Sequence, residues 1–444
     1  VAARGHQVEL ICGCPYYPEW SLSTPYNGTR FATEHWQGVT IRRVPHYIPG
    51  KGKVTSLKRM LIDLSISISA GLHGLRTLFS RKAPDAVIAI CPPLFSGIWP
   101  ALICGLRRRP WVFHVQDFQV DAAVSLGMLR PRWLGRMLLA VEWVLMRAAS
   151  RVSTITPAMG RVAVGKGVPA HCVVEFPNWS DLQRIQPMHI DTAFRRELGA
   201  NDAQTVVMYA GAMGRKQGLS LVLDAALQLL NDPRFIFVMI GSGSEAEQLR
   251  QDAQRRGLSN MRFLPLQPIE RLSEVLGSAN IHLVIQKADT ADLVMPSKLT
   301  NILAAGRPAI ATTPPGTALW DAVHEHETGL AIVPESAPAL IQALQTLADD
   351  PVLAQRLSVN ARRYAEHHLG QDSILGSFEE LLHVLTGLRT LAPSLAPSLA
   401  ASSSDGAGQM HDEGKAAALP SGPHKTPVGE AGGAEHVNQA ACND

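Results

Sequence analysis

The 444-residue sequence has no apolar run reaching the ~18 residues of a membrane-spanning helix, and no visible signal peptide. Cysteines are few. Cys12, Cys14, Cys91, Cys104, Cys172 and Cys442 follow neither a disulfide-framework nor a zinc spacing, so reduced thiols are expected. The histidines show no metal-ligand grouping. There is no lysine-bearing phosphate loop and no full dinucleotide fingerprint, which leaves nucleoside triphosphate hydrolysis and hydride transfer without support. Net charge is also small, at +3, but it is unevenly placed. Residues 1–183 hold 21 Lys+Arg against 10 Asp+Glu, while the remainder holds 20 against 28. The basic front suits anionic lipid head groups or a phosphate-bearing acceptor, unless the asymmetry is chance.

What the chain has in abundance is short continuous apolar runs, each followed by a helical pattern. In the front half these runs are Val8–Cys12, Val39–Val44, Asp85–Ile90, Trp111–Gln116, Arg151–Ile155 and Cys172–Phe176. In the back half they are Thr205–Ala210, Phe235–Ile240, Met261–Leu266, Ile281–Gln286, Pro308–Thr313 and Leu330–Val333. Helical patterns between them include Leu57–Phe79, Pro131–Ala149, Leu219–Leu230, Glu245–Arg256 and Ala337–Ala348. Strands apolar on both faces, alternating with helices, imply an α/β chain with two doubly wound parallel-sheet (Rossmann-like) domains of six strands each. The expected division is 1–183, 184–388 and a tail, 389–444, rich in Gly, Pro, Ala and Ser. Such a tail buries too little apolar surface to order itself. The opening "VAARGHQVELIC" reads as a helix end running into a strand, so a first strand, its loop and most of a helix are expected before Val1.

Open parallel sheets bind ligands beyond the carboxyl ends of their strands. Three junctions in the back half have suitable chemistry. "YAGAMGRKQGLSLVLDA" sets Gly211, Gly214 and Gly218 around Arg215 and Lys216, two cations able to neutralise a diphosphate. "VMIGSGSEAEQL" sets Gly241 and Gly243 between a strand and a helix; a tight structural turn is the alternative. "VMPSKLTNILAAG" places Ser297 as a helix cap and Lys298 in the first turn, where a cation is unfavourable for the helix dipole unless an anion is bound. In the front half, "WVFHVQDFQVDAA" brings out His114, Asp117 and Asp121. Asp117 can accept a proton from a hydroxyl or orient it. His114 is open between contacting substrate and being a satisfied core histidine, and Asp121 between the cleft and a helix cap. Leu57–Phe79 has apolar residues at 57, 60, 61, 64, 68, 72, 75 and 78. Packing of that face on the front sheet is expected, with membrane contact as the second use of the helix, helped by Arg107, Arg108 and Arg109.

Taken in order, these motifs, with "NMRFLPLQPIERLSEVLGSANIHLV", "PSKLTNILAAGRPAIATTPPGTALWDAV", "ETGLAIVPE" and the front "RGHQVELICGCPYYPEW", "FHVQDFQVDAA" and "FPNWSD", resemble family 4 glycosyltransferases. Within that family the likeness is to the WcaI-type branch of colanic acid biosynthesis, over roughly residues 1–385. The resemblance implies a GT-B fold, two domains facing a cleft, in which the last helix of the second crosses back to the first. It implies a retaining hexosyltransferase working without bound metal or other cofactor. The donor is a nucleoside diphosphate sugar, GDP-fucose in this branch, and the acceptor a polyprenyl-diphosphate-linked saccharide. No nucleic acid partner is implied. The location is cytoplasmic, peripheral on the anionic inner face of the cytoplasmic membrane. Carried over by position, Arg215, Lys216 and Lys298 face the diphosphate, Gly211, Gly214, Gly241 and Gly243 let the donor approach, and the backbone at Leu264 lies against the base. Relatives carry two glutamates where this chain has Leu293 and Asn301. Asn301 is therefore expected at the ribose, with Asp292 a weak stand-in for the first carboxylate. A sugar-nucleotide epimerase and an inactive donor-binding or scaffolding protein stand as rival readings.

Overall fold

The computed structural model describes residues 1–16, 20–22, 26, 31–50, 56–78, 83–125, 131–288 and 296–387. The expected unstructured tail, and Asp292 and Leu293, lie outside them. The strands are β1 (Val8–Gly13), β2 (Ala32–Trp36), β3 (Val39–Val44), β4 (Val87–Cys91), β5 (Trp111–Val115), β6 (Arg151–Thr154) and β7 (Val173–Glu175). In the second half come β8 (Thr205–Ala210), β9 (Phe235–Ile240), β10 (Met261–Leu264), β11 (Ile281–Val284), β12 (Ala309–Thr312) and β13 (Gly329–Ile332).

The back half is the six-stranded doubly wound sheet that its apolar runs predict, in order β10-β9-β8-β11-β12-β13 with every pair parallel. Its strands are apolar throughout because both faces are covered. Val207, Tyr209, Phe235, Phe237 and Met239 pack into one layer, while Val206, Met208, Ile236, Val238 and Ile240 pack into the other. Chain order reverses between β8 and β11, so the carboxyl ends of these strands open a crevice where ligands bind in such sheets.

The front half corrects the expectation of a single six-stranded sheet. It has one three-stranded sheet, β1-β3-β2, and one four-stranded parallel sheet, β4-β5-β6-β7. Among the described residues β1 pairs only with β3 and β4 only with β5, and Leu10, Ile11, Ile88 and Ile90 of these two strands stand exposed. The additional strand β2 is polar, which hides it from apolar patterning. It is an antiparallel partner of β3 across Gln37-Gly38, both with positive φ, the type I′ geometry that suits a two-residue hairpin.

The helix Ser56–Leu78 also turns the other way from expectation. Its buried residues are Ile62, Ser67, Gly71 and Gly74. The Trp99 ring lies where a Cβ on Gly71 would sit, and Ile103 approaches Gly74. Small residues let the neighbouring helix Ile98–Arg107 come close, and this contact takes precedence over the larger apolar face. Leu57, Leu61, Leu64, Ile68 and Leu72 are therefore left exposed, Leu57 by 65%. Leu102 and Leu106 on Ile98–Arg107, and Trp133, Met137, Trp143 and Val144 on the helix Arg132–Ala148, are likewise exposed, on helices that contact one another in succession.

The halves meet through a few defined contacts. Ser180 N–H donates to the Leu369 carbonyl at 2.9 Å, and Arg362 Nη2 donates to the Leu182 carbonyl at 3.5 Å. The final helix, Gln371–Leu385, touches front-half residues: the Phe378 ring stacks on Phe176 with centroids 3.9 Å apart, and Glu379 accepts from Arg4 at 2.7 Å. Cys12, Cys14, Cys91 and Cys104 are free thiols. No helix among the described residues is long and apolar enough to cross a membrane.

Candidate active site

The candidate residues gather where β5, β8 and β9 end and the helix Lys298–Ala304 begins. At the end of β8, the Tyr209 hydroxyl donates to the Ala212 carbonyl at 2.6 Å, which locks the ring beneath the following loop. Lys298 reaches over that ring, its Nζ 3.5 Å from the ring centroid. The same nitrogen sits beside Gly211, where a Cβ would lie 3.3 Å from it. Lys298 Nζ is buried and has no hydrogen-bond partner. Desolvation lowers its pKa from the usual lysine range to about 7. The aromatic face supplies part of the missing counter-charge, but an ammonium has three donors and here uses none. A buried cation without an anion is the state that a bound phosphate would relieve.

Asp117 follows β5 and faces the other half. Its Oδ2 lies 3.5 Å from Lys216 Nζ, and its Oδ1 is buried without a partner. Burial raises the Asp117 pKa, with the Lys216 ammonium pulling it back down. This pair joins the candidate proton acceptor of one half to a candidate phosphate-binding cation of the other. Arg215 points outward, its side chain 89% exposed and 4.0 Å from Glu245. Lys298, Lys216 and Arg215 are thus in one neighbourhood but engaged separately.

Gly241 and Gly243 serve loop against loop. A Cβ on Gly241 would come 2.0 Å from the Gly211 carbonyl oxygen, and one on Gly243 2.3 Å from that of Met213. Both have positive φ, 145° and 155°. The two loops prolong the β8–β9 ladder through Gly211 N–H to Ile240 O and Met213 N–H to Ser242 O, each 2.9 Å. In this state the tight-turn alternative accounts for both glycines. Gly214 N–H is taken by Gln217 Oε1 at 3.1 Å, and the Leu264 carbonyl accepts from Gly241 N–H at 3.2 Å.

Two expected placements, Ser297 and Asn301, differ, and His114 takes the second of its two readings. Ser297 does not cap its helix: its backbone is already helical and its side chain makes no capping bond. The Leu299 N–H bonds the Pro296 carbonyl at 3.0 Å, so the helical turn begins upstream of Ser297. Asn301 Oδ1 accepts from Ser180 Oγ at 3.0 Å, at the junction of the halves. His114 is 3% exposed, and both ring nitrogens have partners, Ser153 Oγ at 2.9 Å and Gln116 Nε2 at 3.2 Å. Burial pulls its pKa down to about 4, so the imidazole is neutral and offers no free nitrogen to a substrate.

Sequence reading missed Tyr209, whose role exists only through the tertiary approach of Lys298. It also missed Glu142, 1% exposed, which ion-pairs with Lys166; Lys166 in turn holds Asp121 at 2.5 Å. Asp121, in the first turn of the helix Gln119–Ser125, is thus held in this ion-pair cluster. A single carboxylate in the apolar helix Arg132–Ala148 was the available signal for this buried cluster.

Comparison with known proteins covers both halves. Residues 1–179 match the family described as glycosyl transferase 4-like domain, and residues 191–364 match glycosyl transferases group 1. The putative colanic acid biosynthesis glycosyl transferase WcaI of Escherichia coli K12 is 36% identical over 386 residues, 85% of this chain and 92% of that protein. The probable glycosyltransferase WbjE of Pseudomonas aeruginosa is 22% identical over 68% of this chain and 74% of its own length. Among solved structures, sucrose-phosphate synthase from Thermosynechococcus elongatus aligns with a TM-score of 0.67 at 19% identity, over 87% of this chain and 91% of that one. HepE of Anabaena in complex with UDP-glucose aligns with a TM-score of 0.63 at 15% identity, over 85% and 99%. At these identities the two structures speak to fold alone.

Proposed function

The chain belongs to the family 4 glycosyltransferases of GT-B fold, related to WcaI, and from that premise we propose that it moves a sugar from a nucleoside diphosphate donor to a polyprenyl-diphosphate-linked saccharide in exopolysaccharide assembly of the colanic acid type. The donor in this reading is GDP-fucose. The observation that carries it is the buried, unpartnered Lys298 ammonium at the end of β8. Such a group is a receptor for an anion entering the crevice.

In the proposed reaction the bond between the anomeric carbon and the diphosphate oxygen breaks, and one to the acceptor oxygen forms. Negative charge grows on the leaving diphosphate, where Lys298 stabilises it together with Lys216 and Arg215. Donor binding draws Lys216 away from Asp117. The freed carboxylate then orients the acceptor hydroxyl and takes its proton. Asp117 is suited to this because burial has raised its pKa. We assign retention of configuration and independence from bound metal on the family likeness alone.

The acceptor is lipid-linked in this reading, and the exposed apolar residues of three contacting front-half helices support a membrane-facing role. Arg59, Arg76, Arg107, Arg108 and Arg109 lie on the first two of these helices or at their ends, where they meet anionic head groups. The experiment that tests the function is transfer of labelled sugar from a nucleotide donor to a polyprenyl-diphosphate acceptor in vesicles. A second reading, donor binding without transfer, draws on Asn301, which stands where the family likeness implies a carboxylate and whose side-chain oxygen accepts from Ser180. Saturable donor binding with no transfer to any lipid-linked acceptor would favour it.

A further inference from the structure

We propose that His6, Glu379 and His383 bind one divalent transition-metal ion, of the zinc class, that staples the final helix to the front half. Glu379 and His383 are four residues apart on the helix Gln371–Leu385 and so share a face. His6 comes from the segment just before β1, at the far end of the sequence. The ligand atoms of the three side chains all lie within 4.8 Å of one another. None of the three belongs to the candidate active site.

The chemistry of the set is that of a borderline transition ion: two imidazoles and a carboxylate, with no soft sulfur and too few oxygens for calcium or magnesium. Tetrahedral zinc holds its ligands at ~2.0–2.2 Å, which sets them about 3.4 Å from each other. Side-chain rotation of roughly an ångström brings the present arrangement to that geometry. His6 Nε2 and Glu379 Oε1 are 2.6 Å apart, sharing a proton where the ion would sit. Metal binding displaces that proton, as it does at most histidine sites.

Arg4 is the obvious objection, since a guanidinium beside a cation site is repulsive. Its geometry limits the objection. Arg4 Nη1 bonds Glu379 Oε2 at 2.7 Å, the oxygen that the imidazole does not use. That contact orients Oε1 as an outer-shell partner orients a ligating carboxylate. Arg4 Nη2 also reaches Asp372, 3.8 Å from its Oδ1, which draws the positive charge to the side. The fourth coordination position is open to water. A filled site would link residue 6 to the helix whose Phe378 stacks on Phe176, and so restrict movement between the halves.

The test is Zn²⁺ binding by the full chain, stripped with a chelator and then titrated against a chromogenic competitor, beside His6→Ala, His383→Ala and the double variant. The full chain has 16 histidines, so the difference between variants carries the result. The site predicts one zinc equivalent lost in the double variant and an affinity lowered about tenfold or more in each single one. It also predicts that zinc raises the thermal midpoint of the parent and leaves that of the double variant unmoved. Circular dichroism verifies that the variants fold, and His383→Gln replaces His383→Ala if the latter does not. Equal zinc stoichiometry, affinity and thermal shift in parent and double variant would overturn the proposal.

Discussion

The ammonium of Lys298 lies 3.5 Å from the centre of the Tyr209 ring, buried and without a hydrogen bond. Its pKa near 7 means that the protein folds against the charge of this lysine. Between about 7 and the ordinary lysine value of ~10.4 the unfolded state binds more protons, so stability rises with pH through that window. Lys298→Met should therefore raise the stability of the ligand-free protein most below pH 7 or so, and hardly at all near pH ~10. A bound diphosphate reverses the preference and recharges the lysine. Donor binding near pH ~8 should take up a proton, seen as a calorimetric enthalpy that depends on the buffer, and the dependence should vanish in Lys298→Met. The same variant should bind donor roughly 10- to 100-fold more weakly, the worth of a charge-assisted hydrogen bond.

Asp117 and Lys216 form the other diagnostic pair. Asp117→Asn should lower turnover by ~10²–10⁴-fold while leaving donor affinity intact or improved, because Lys216 is released. Lys216→Met removes the charge that holds the Asp117 pKa down. The acidic limb of the kcat/KM profile, which reports the free enzyme in which the two groups are paired, should then move to higher pH. A limb that stays in place would separate Asp117 from the rate.

Gly241→Ala tests the interlocked loops. The added Cβ meets the Gly211 carbonyl oxygen at 2.0 Å with φ at 145°, so both sterics and backbone oppose it. A loss of about 2–4 kcal/mol in denaturant unfolding is expected, with donor affinity falling as the loops part.

The outward apolar face makes a separate prediction. Leu64 and Ile68 are exposed, so glutamate at both positions should leave the fold intact. Co-sedimentation with vesicles containing anionic lipid should fall about tenfold, while donor binding in solution is unchanged. Equal sedimentation of parent and variant would remove this face from the membrane.

Much of the architecture was legible because the relevant strands are apolar on both faces. Phe235–Ile240 and Thr205–Ala210 read as buried strands and are so. Ala32–Trp36 was not legible, since its polar residues carry no burial pattern and only the Gln37-Gly38 turn marks it. The helix Ser56–Leu78 misleads for a different reason. Patterning assumes that the largest apolar face is buried, whereas close packing by Trp99 selects the face with Gly71 and Gly74. At the site, charge type and position identified Lys298, Lys216 and Asp117 as candidates. Their pairing was not visible, because it arises between strands separated by about a hundred residues. His114 and Asn301 depended on partners, Ser153, Gln116 and Ser180, that no local motif names.

The central claim is sugar transfer to a lipid-linked acceptor. Its most direct measurement is the fate of labelled sugar when the full chain meets GDP-fucose and a polyprenyl-diphosphate saccharide in anionic vesicles. The account predicts label in the lipid fraction, dependent on acceptor and lost in Asp117→Asn. Label that stays on the nucleotide, is epimerised there, or is released as free sugar without any lipid product would contradict it.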